Sequence, residues 1–221
     1  MSNGLPWDNN SWEVAAEIAA RQHRYPAAAV MAGSGAMTAN TPLVLRASAA
    51  LSISSLIIPD RKVPEGLLIR SVSALWNEIV QRIGSDSSVA YQLTPRQFEE
   101  LIAGALQKDI IGFDEVILTP ISGDHGRDVI AIKNGRMALK IFGSVKRYKP
   151  GHLVGYDEIL ALIAVVDGEN ASKGIITTTS DFPPRVNEHP SIKPKFPHKL
   201  QLMNGENLQK WLAEFNAPPT P

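Results

Sequence analysis

Ser122-Gly123-Asp124-His125-Gly126-Arg127-Asp128-Val129-Ile130-Ala131, then the strand-like run Met137 to Lys146 and Arg147-Tyr148, is the stretch on which the reading of this 221-residue chain turns. An acidic residue opens one strand and a lysine ends the next. Between them lies Lys133-Asn134-Gly135-Arg136, a hairpin signal, because Asn-Gly accepts the positive φ of a tight turn. A hairpin brings its outer ends together, so Asp128 and Lys146 are expected to converge. A carboxylate beside a lysine is the smallest set of groups that can hold a divalent cation at a phosphodiester and orient water against it.

Outward from the hairpin, the pattern alternates. Thr94 is a good N-cap, with Pro95 at the first helical position and Gln97 three residues after the cap. Phe98, Leu101, Ile102 and Leu106 form the apolar face of that helix. Val116 to Ile121, Asp128 to Ile132 and Met137 to Lys146 read as strands. Tyr156 to Val166 reads as a helix, Gly174 to Thr178 and Leu200 to Met203 as strands, and Glu206 to Phe215 as a closing amphipathic helix. A meander, a crossover helix and further strands imply an α/β fold: a mixed sheet with helices on both faces.

The N-terminal part reads as mostly helical. Trp12 to Gln22 has a short helical pattern, and Pro26 to Asn40 is rich in Ala and Gly. Leu43 to Ile58 is a run of small apolar residues whose period does not separate helix from strand. Pro64 to Ile83 reads as a helix, with proline at its start, Leu67, Leu68, Val72, Leu75, Ile79 and Ile83 at helical spacing, and Gly84 as a stop. The polar stretch near Ser85 to Gln92 suggests a division into an N-terminal segment, 1–92, and a second domain, 93–215. A flexible tail, 216–221, follows.

Composition narrows the classes further. Hydrophobic residues make up 44% of the chain, enough for a packed core. Lysine plus arginine number 22 and aspartate plus glutamate 22, so overall charge gives no steer towards nucleic acid or membrane. With no cysteine, disulfides and thiolate metal sites are excluded. The polar N-terminus lacks a signal-peptide pattern, and Leu43 to Ile58 is too short to span a bilayer. A cytoplasmic protein without a membrane partner is therefore expected. Charge is local instead: no acidic residue occurs from Val129 to Tyr156, while Lys133, Arg136, Lys140, Lys146, Arg147 and Lys149 are all basic. Such a stripe beside an acidic site suits a phosphate backbone. It also suits a solvated sheet edge, where lysines discourage strand pairing.

Five blocks together resemble the Mrr-like branch of the restriction-endonuclease-like, PD-(D/E)xK nucleases. They are Leu93-Thr94-Pro95-Arg96-Gln97-Phe98-Glu99, Ser122 to Asp128, Val145-Lys146-Arg147-Tyr148, Lys173 to Ser180 and Leu202 to Leu208. The resemblance spans residues 93–215 and implies a DNA endonuclease of restriction or defence type, dependent on Mg²⁺ or Mn²⁺. Carried over by position, Asp128 matches the metal-binding aspartate, Lys146 the catalytic lysine and Glu99 the accessory acid and second metal ligand. Asp124 matches the acid ahead of the glycine turn, and His125 lies in that turn within reach of a phosphate or water. Arg136, Lys140, Arg147 and Lys149 are the expected DNA contacts. A homodimer or larger assembly is expected, with residues 1–92 available for recognition, dimerisation or a partner protein.

One position departs from the family pattern. Gln or Glu usually stands two residues before the lysine, and here that residue is Ser144. A period of two places Ser144 and Lys146 on one face. A hydroxyl is shorter than either family side chain, and it is neutral. The alternative reading is therefore a catalytically silent nuclease fold serving as a DNA-binding or assembly module.

Overall fold

Val129–Lys133 (β4) and Leu139–Lys146 (β5) pair antiparallel, with Ala131 opposite Ile141, as the Asn-Gly signal between them predicts. The connection is five residues long, 134–138, so β5 begins two residues later than expected. The computed structural model describes residues 55–121 and 126–216, which all fall in one compact unit, Ala47–Pro221. The patterns at Trp12 to Gln22, Pro26 to Asn40 and most of Leu43 to Ile58 lie outside the described residues. So do Asp124 and His125.

The described residues form one seven-stranded sheet whose spatial order is the chain order. The first five strands are a meander: Ile57–Val63 (β1), Gly66–Val72 (β2), Glu115–Leu118 (β3), β4 and β5. The next two, Lys173–Thr178 (β6) and Leu200–Met203 (β7), run parallel to β5. Parallel neighbours need long connections. Helix α4, Tyr156–Gly168, supplies the one between β5 and β6. An irregular segment with short 3-10 turns at Val186–Glu188 and Lys193–Lys195 supplies the other.

Helices cover both faces, and strand alternation sorts the cores. Val116, Leu118, Val129, Ala131, Ile141 and Val145 point to one face. There they meet α1 (Ala74–Ser85), α3 (Pro95–Lys108) and α5 (Gly205–Glu214). Ile117, Ile130, Phe142 and Ile176 point to the other, under Ile159, Leu162, Ile163 and Val166 of α4 and Ile192 of the irregular segment. The α3 start is the expected capping box: the Thr94 hydroxyl accepts from Gln97 N at 3.2 Å, and Gln97 Oε1 accepts from Thr94 N at 3.0 Å. A four-residue helix, α2 (Val89–Gln92), leads into it.

Pro64 to Ile83 is not one helix. Its first half is the β1–β2 turn followed by β2, and α1 begins only at Ala74. β2 lies between β1 and β3 and is covered on both faces, with Leu68 in one core and Ile69 in the other. Burial on both sides removes the alternation that marks a strand and leaves a continuous apolar run. Pro64 sits in the turn. Gly66 follows at φ +153°, and a Cβ there would collide with the backbone at Leu118 and Thr119. The helix start was present in the sequence as Ser73, whose side chain accepts from Trp76 N. Residues 57–92 are thus built into the same sheet and core as residues 93–215. β3 also stops at Leu118, three residues short of the expected end.

Candidate active site

The β4–β5 ladder continues one residue past β4, because Asp128 N donates to Gly143 O at 2.7 Å. Val129 pairs with Gly143, so the next residue out, Asp128, stands opposite Ser144 on the same face. From there the Asp128 side chain takes over the ladder: Oδ2 accepts from Val145 N at 2.5 Å. Asp128 is 9% exposed and Ser144 2%. Lys146 is two residues further along β5, on the same face and partly open to solvent. Register thus brings Asp128, Ser144 and Lys146 to one corner of the sheet.

The chain beyond Lys146 is pinned from β6. Thr179 N donates to Lys146 O at 3.2 Å, and Thr179 Oγ1 donates to Tyr148 O at 2.6 Å. Tyr91 Oη donates to Thr179 O at 2.7 Å, and Arg147 Nη1 donates to Tyr91 O at 3.1 Å. Arg147 is therefore engaged with α2, whereas Lys149 is exposed.

Glu99 is engaged on its own helix. It is paired with Arg96 at 2.8 Å, and Arg96 also donates to Thr119 O at 2.8 Å. Thr119 in turn donates through N to Asp128 O and through Oγ1 to Arg127 O. Glu99 thus reaches the Asp128 strand end through an arginine and a threonine. Lys140 and Arg136 lie at the other end of the hairpin. Six residues of β5 separate Lys140 from Lys146, about 20 Å of strand. Lys140 Nζ instead lies 3.8 Å from Glu169 Oε2, and Glu169 also pairs with Arg127.

One further side chain enters the corner from above. Glu158, in the first turn of α4, lies with Oε1 3.7 Å from Lys146 Nζ. The same oxygen accepts from Tyr148 Oη at 2.5 Å, and Oε2 accepts from Gly155 N at 2.9 Å. Burial pushes the Glu158 carboxyl up, but the Tyr148 and Gly155 hydrogen bonds and the Lys146 ammonium outweigh it and hold the group below its ordinary value. Burial, and then the neighbouring carboxylate, push the Tyr148 hydroxyl up to about 12. Sequence reasoning assigned Glu158 no role. Its one signal was an acidic residue at the third position of a helix that crosses over β5.

A cleft of about 420 Å³ lies elsewhere, past the carboxyl ends of β6 and β7, among Tyr91, Thr179, Asp181, Asn204 and Glu206. None of Asp128, Ser144, Lys146 and Glu158 lines it.

Residues 90–212 match the catalytic domain of the Mrr restriction endonuclease family. The chain belongs to that family. The match begins and ends within three residues of the range the five sequence blocks imply. No curated protein matches the chain. Two solved structures are similar to it. One is the DNA modification-dependent restriction endonuclease AspBHI, at 18% identity and TM-score 0.43, covering 83% of this chain and 47% of that one. The other is the MspJI restriction endonuclease in complex with a 27-mer oligonucleotide, at 16% identity and TM-score 0.43, covering 64% and 32%. The chain therefore spans less than half the length of either. No helix among the described residues is long and apolar enough to cross a membrane.

Among the described residues, no three acidic, histidine or cysteine side chains gather into a ready-made metal cage. Magnesium does not need one. It keeps several waters and is commonly held by one or two carboxylates together with substrate phosphate. The Asp128 carboxylate and the Ser144 hydroxyl are hard oxygen donors, so the corner of this Mrr-family domain fits Mg²⁺ or Mn²⁺ rather than a soft ion.

Proposed function

We propose that the protein is a DNA endonuclease that hydrolyses phosphodiester bonds with Mg²⁺ or Mn²⁺ at the Asp128–Lys146 corner. The observation that carries this reading is the register: within a domain of the Mrr family, Asp128 lies opposite Ser144 and two residues from Lys146 on one face.

Asp128 holds the cation through its carboxylate, and the bond to Val145 N keeps that carboxylate oriented. The bound ion supplies charge that polarises the phosphate and makes water a better nucleophile. Lys146 orients the attacking water and offsets negative charge growing on the phosphoryl oxygens. Ser144 contributes a neutral oxygen, so the corner carries one negative charge fewer than a Glu at that position would give. Lys149, exposed three residues beyond Lys146, is placed to contact the backbone of a DNA strand. Recognition or assembly is assigned to the N-terminal segment, 1–92, of which the described part from Ile57 onward also joins the sheet.

The test is cleavage of supercoiled plasmid, methylated and unmethylated, in Mg²⁺, Mn²⁺ or EDTA, with Asp128→Asn and Lys146→Ala alongside. Metal-dependent nicking or linearisation that both variants lose is the expected result. Cutting that survives in both variants would reassign the site. The second reading, a silent nuclease fold that binds DNA, is favoured by the neutral Ser144 in the buried position opposite Asp128. Intact DNA in both metals, together with retained DNA binding, would select it.

A further inference from the structure

The neutral hydroxyl of Ser144 leaves β5 without a carboxylate to face its own lysine. α4 brings one. It packs on the face of the sheet that carries Phe142, Ser144 and Lys146, through Ile159, Leu162, Ile163 and Val166. That packing sets its first turn over the end of β5, where Glu158 is half-buried and meets Lys146 Nζ. The Glu158 carboxylate is itself fixed by two further partners, Gly155 N and Tyr148 Oη. Asp157, its neighbour in the same turn, points to solvent.

We propose that Glu158 is the positioning residue of this site: its carboxylate holds the Lys146 ammonium at the end of β5, beside Asp128. A four-carbon side chain carries about 2 kcal/mol of rotamer entropy, so an unanchored ammonium would sample many positions. A carboxylate fixed at two points confines it before DNA arrives. The role is separate from ion binding, because both Glu158 oxygens are already engaged by proton donors. The proposal rests on the nuclease reading for its catalytic consequence, but not for the contact itself.

The experiment compares the full-length protein with Glu158→Gln and Glu158→Asp. Glutamine keeps one acceptor oxygen, which serves Gly155 N, while its amide NH₂ can donate to Tyr148 Oη; the negative charge facing Lys146 is lost. A melting curve establishes that each variant is folded. The first readout needs no activity: mass-spectrometric acetylation of Lys146, measured against exposed Lys149 in the same sample. Faster relative labelling of Lys146 in Glu158→Gln, with partial return in Glu158→Asp, is the expected result. Equal labelling in all three overturns the proposal. The second readout is cleavage. Removal of an orienting partner typically costs roughly 10–100-fold, and here it should appear in kcat with KM for DNA unchanged. Faster labelling with undiminished kcat overturns the positioning role, as does activity restored by raising Mg²⁺, which would make Glu158 an ion ligand. A wild-type protein that does not cut sinks the nuclease reading alone, and the labelling comparison still decides on Glu158.

Discussion

At the scale of single residues, Asp128 makes a structural bond beside its proposed role at the ion, and one substitution confounds the two. Its Oδ2 accepts from Val145 N, a ladder position whose cross-strand partner has run out. Asp128→Ala leaves that buried N–H unpaired, which costs about 1–3 kcal/mol whether or not the site is active. Asp128→Asn keeps an acceptor and removes the charge. Urea unfolding should therefore rank alanine clearly below asparagine and wild type, while cleavage is lost in both variants. Equal stability of the two would mean that the Val145 bond contributes nothing. Glu158 makes a pH prediction. Its carboxyl is held below the ordinary value of 4.5, so its charged form is favoured by folding. The stability it adds is present above the unfolded value and is lost as pH falls through the lower folded value. The stability gap between wild type and Glu158→Gln should be open at neutral pH and close below 4.5. A gap that widens in acid would reverse the sign.

At the scale of elements, α3 is the helix on which the meander rests. Gly104 lets Trp76 of α1 lie against it: a Cβ at Gly104 would fall 2.8 Å from Trp76 Cδ1 and 2.9 Å from Val72 Cγ1. Trp76 is fully buried, and its indole N–H donates to Leu101 O at 3.0 Å. Overpacking of this kind typically costs about 1–3 kcal/mol. Gly104→Ala should lower the melting temperature and shift tryptophan emission as the indole is displaced. An unchanged melt would show that α1 slides without penalty. Glu100 ties the same helix to the start of β1, accepting from Leu56 N at 2.7 Å and Ser55 Oγ at 3.0 Å. Burial pushes its carboxyl up in spite of both bonds. The helix at residues 95–108 was legible because cap and apolar period agreed, and those at 156–168 and 205–214 were read without a cap. The β1–β2 hairpin was not, because β2 is buried on both faces and carries no period, β1 is exposed from Pro59 to Lys62, and Leu67 to Ile83 happens to keep helical spacing across a strand, a cap and a helix.

At the scale of the molecule, the sheet does not respect the polar stretch at Ser85 to Gln92. Leu56, Ile57, Ile69, Trp76, Ile79, Val80 and Ile83 are all buried in the core that α3 and α5 share. Each such side chain contributes about 1.5–3 kcal/mol of burial. Losing several of them exceeds the 5–15 kcal/mol by which domains are typically stable. A fragment beginning at Leu93 should therefore be unfolded by circular dichroism, and β3 would be left as an open edge. A cooperative melt of that fragment would restore a boundary at residue 92.

The sequence alone determined the α/β class, the family, the capped helix at 95–108 and the succession of elements along the chain from β3 onward. It also placed Asp128 and Lys146 at one corner, because a hairpin with a period of two leaves little freedom in register. Those features are local: caps, turns and alternation act within a few residues. The tertiary structure alone decided the rest. It wove β1 and β2 into the sheet, tied Arg96 of α3 to Thr119 beyond β3, and turned Arg147 towards α2. It also brought Glu158 over Lys146 across twelve residues of chain. These outcomes depend on which helix packs on which face, and that is settled by apolar area buried between distant segments, a quantity no short window of sequence contains.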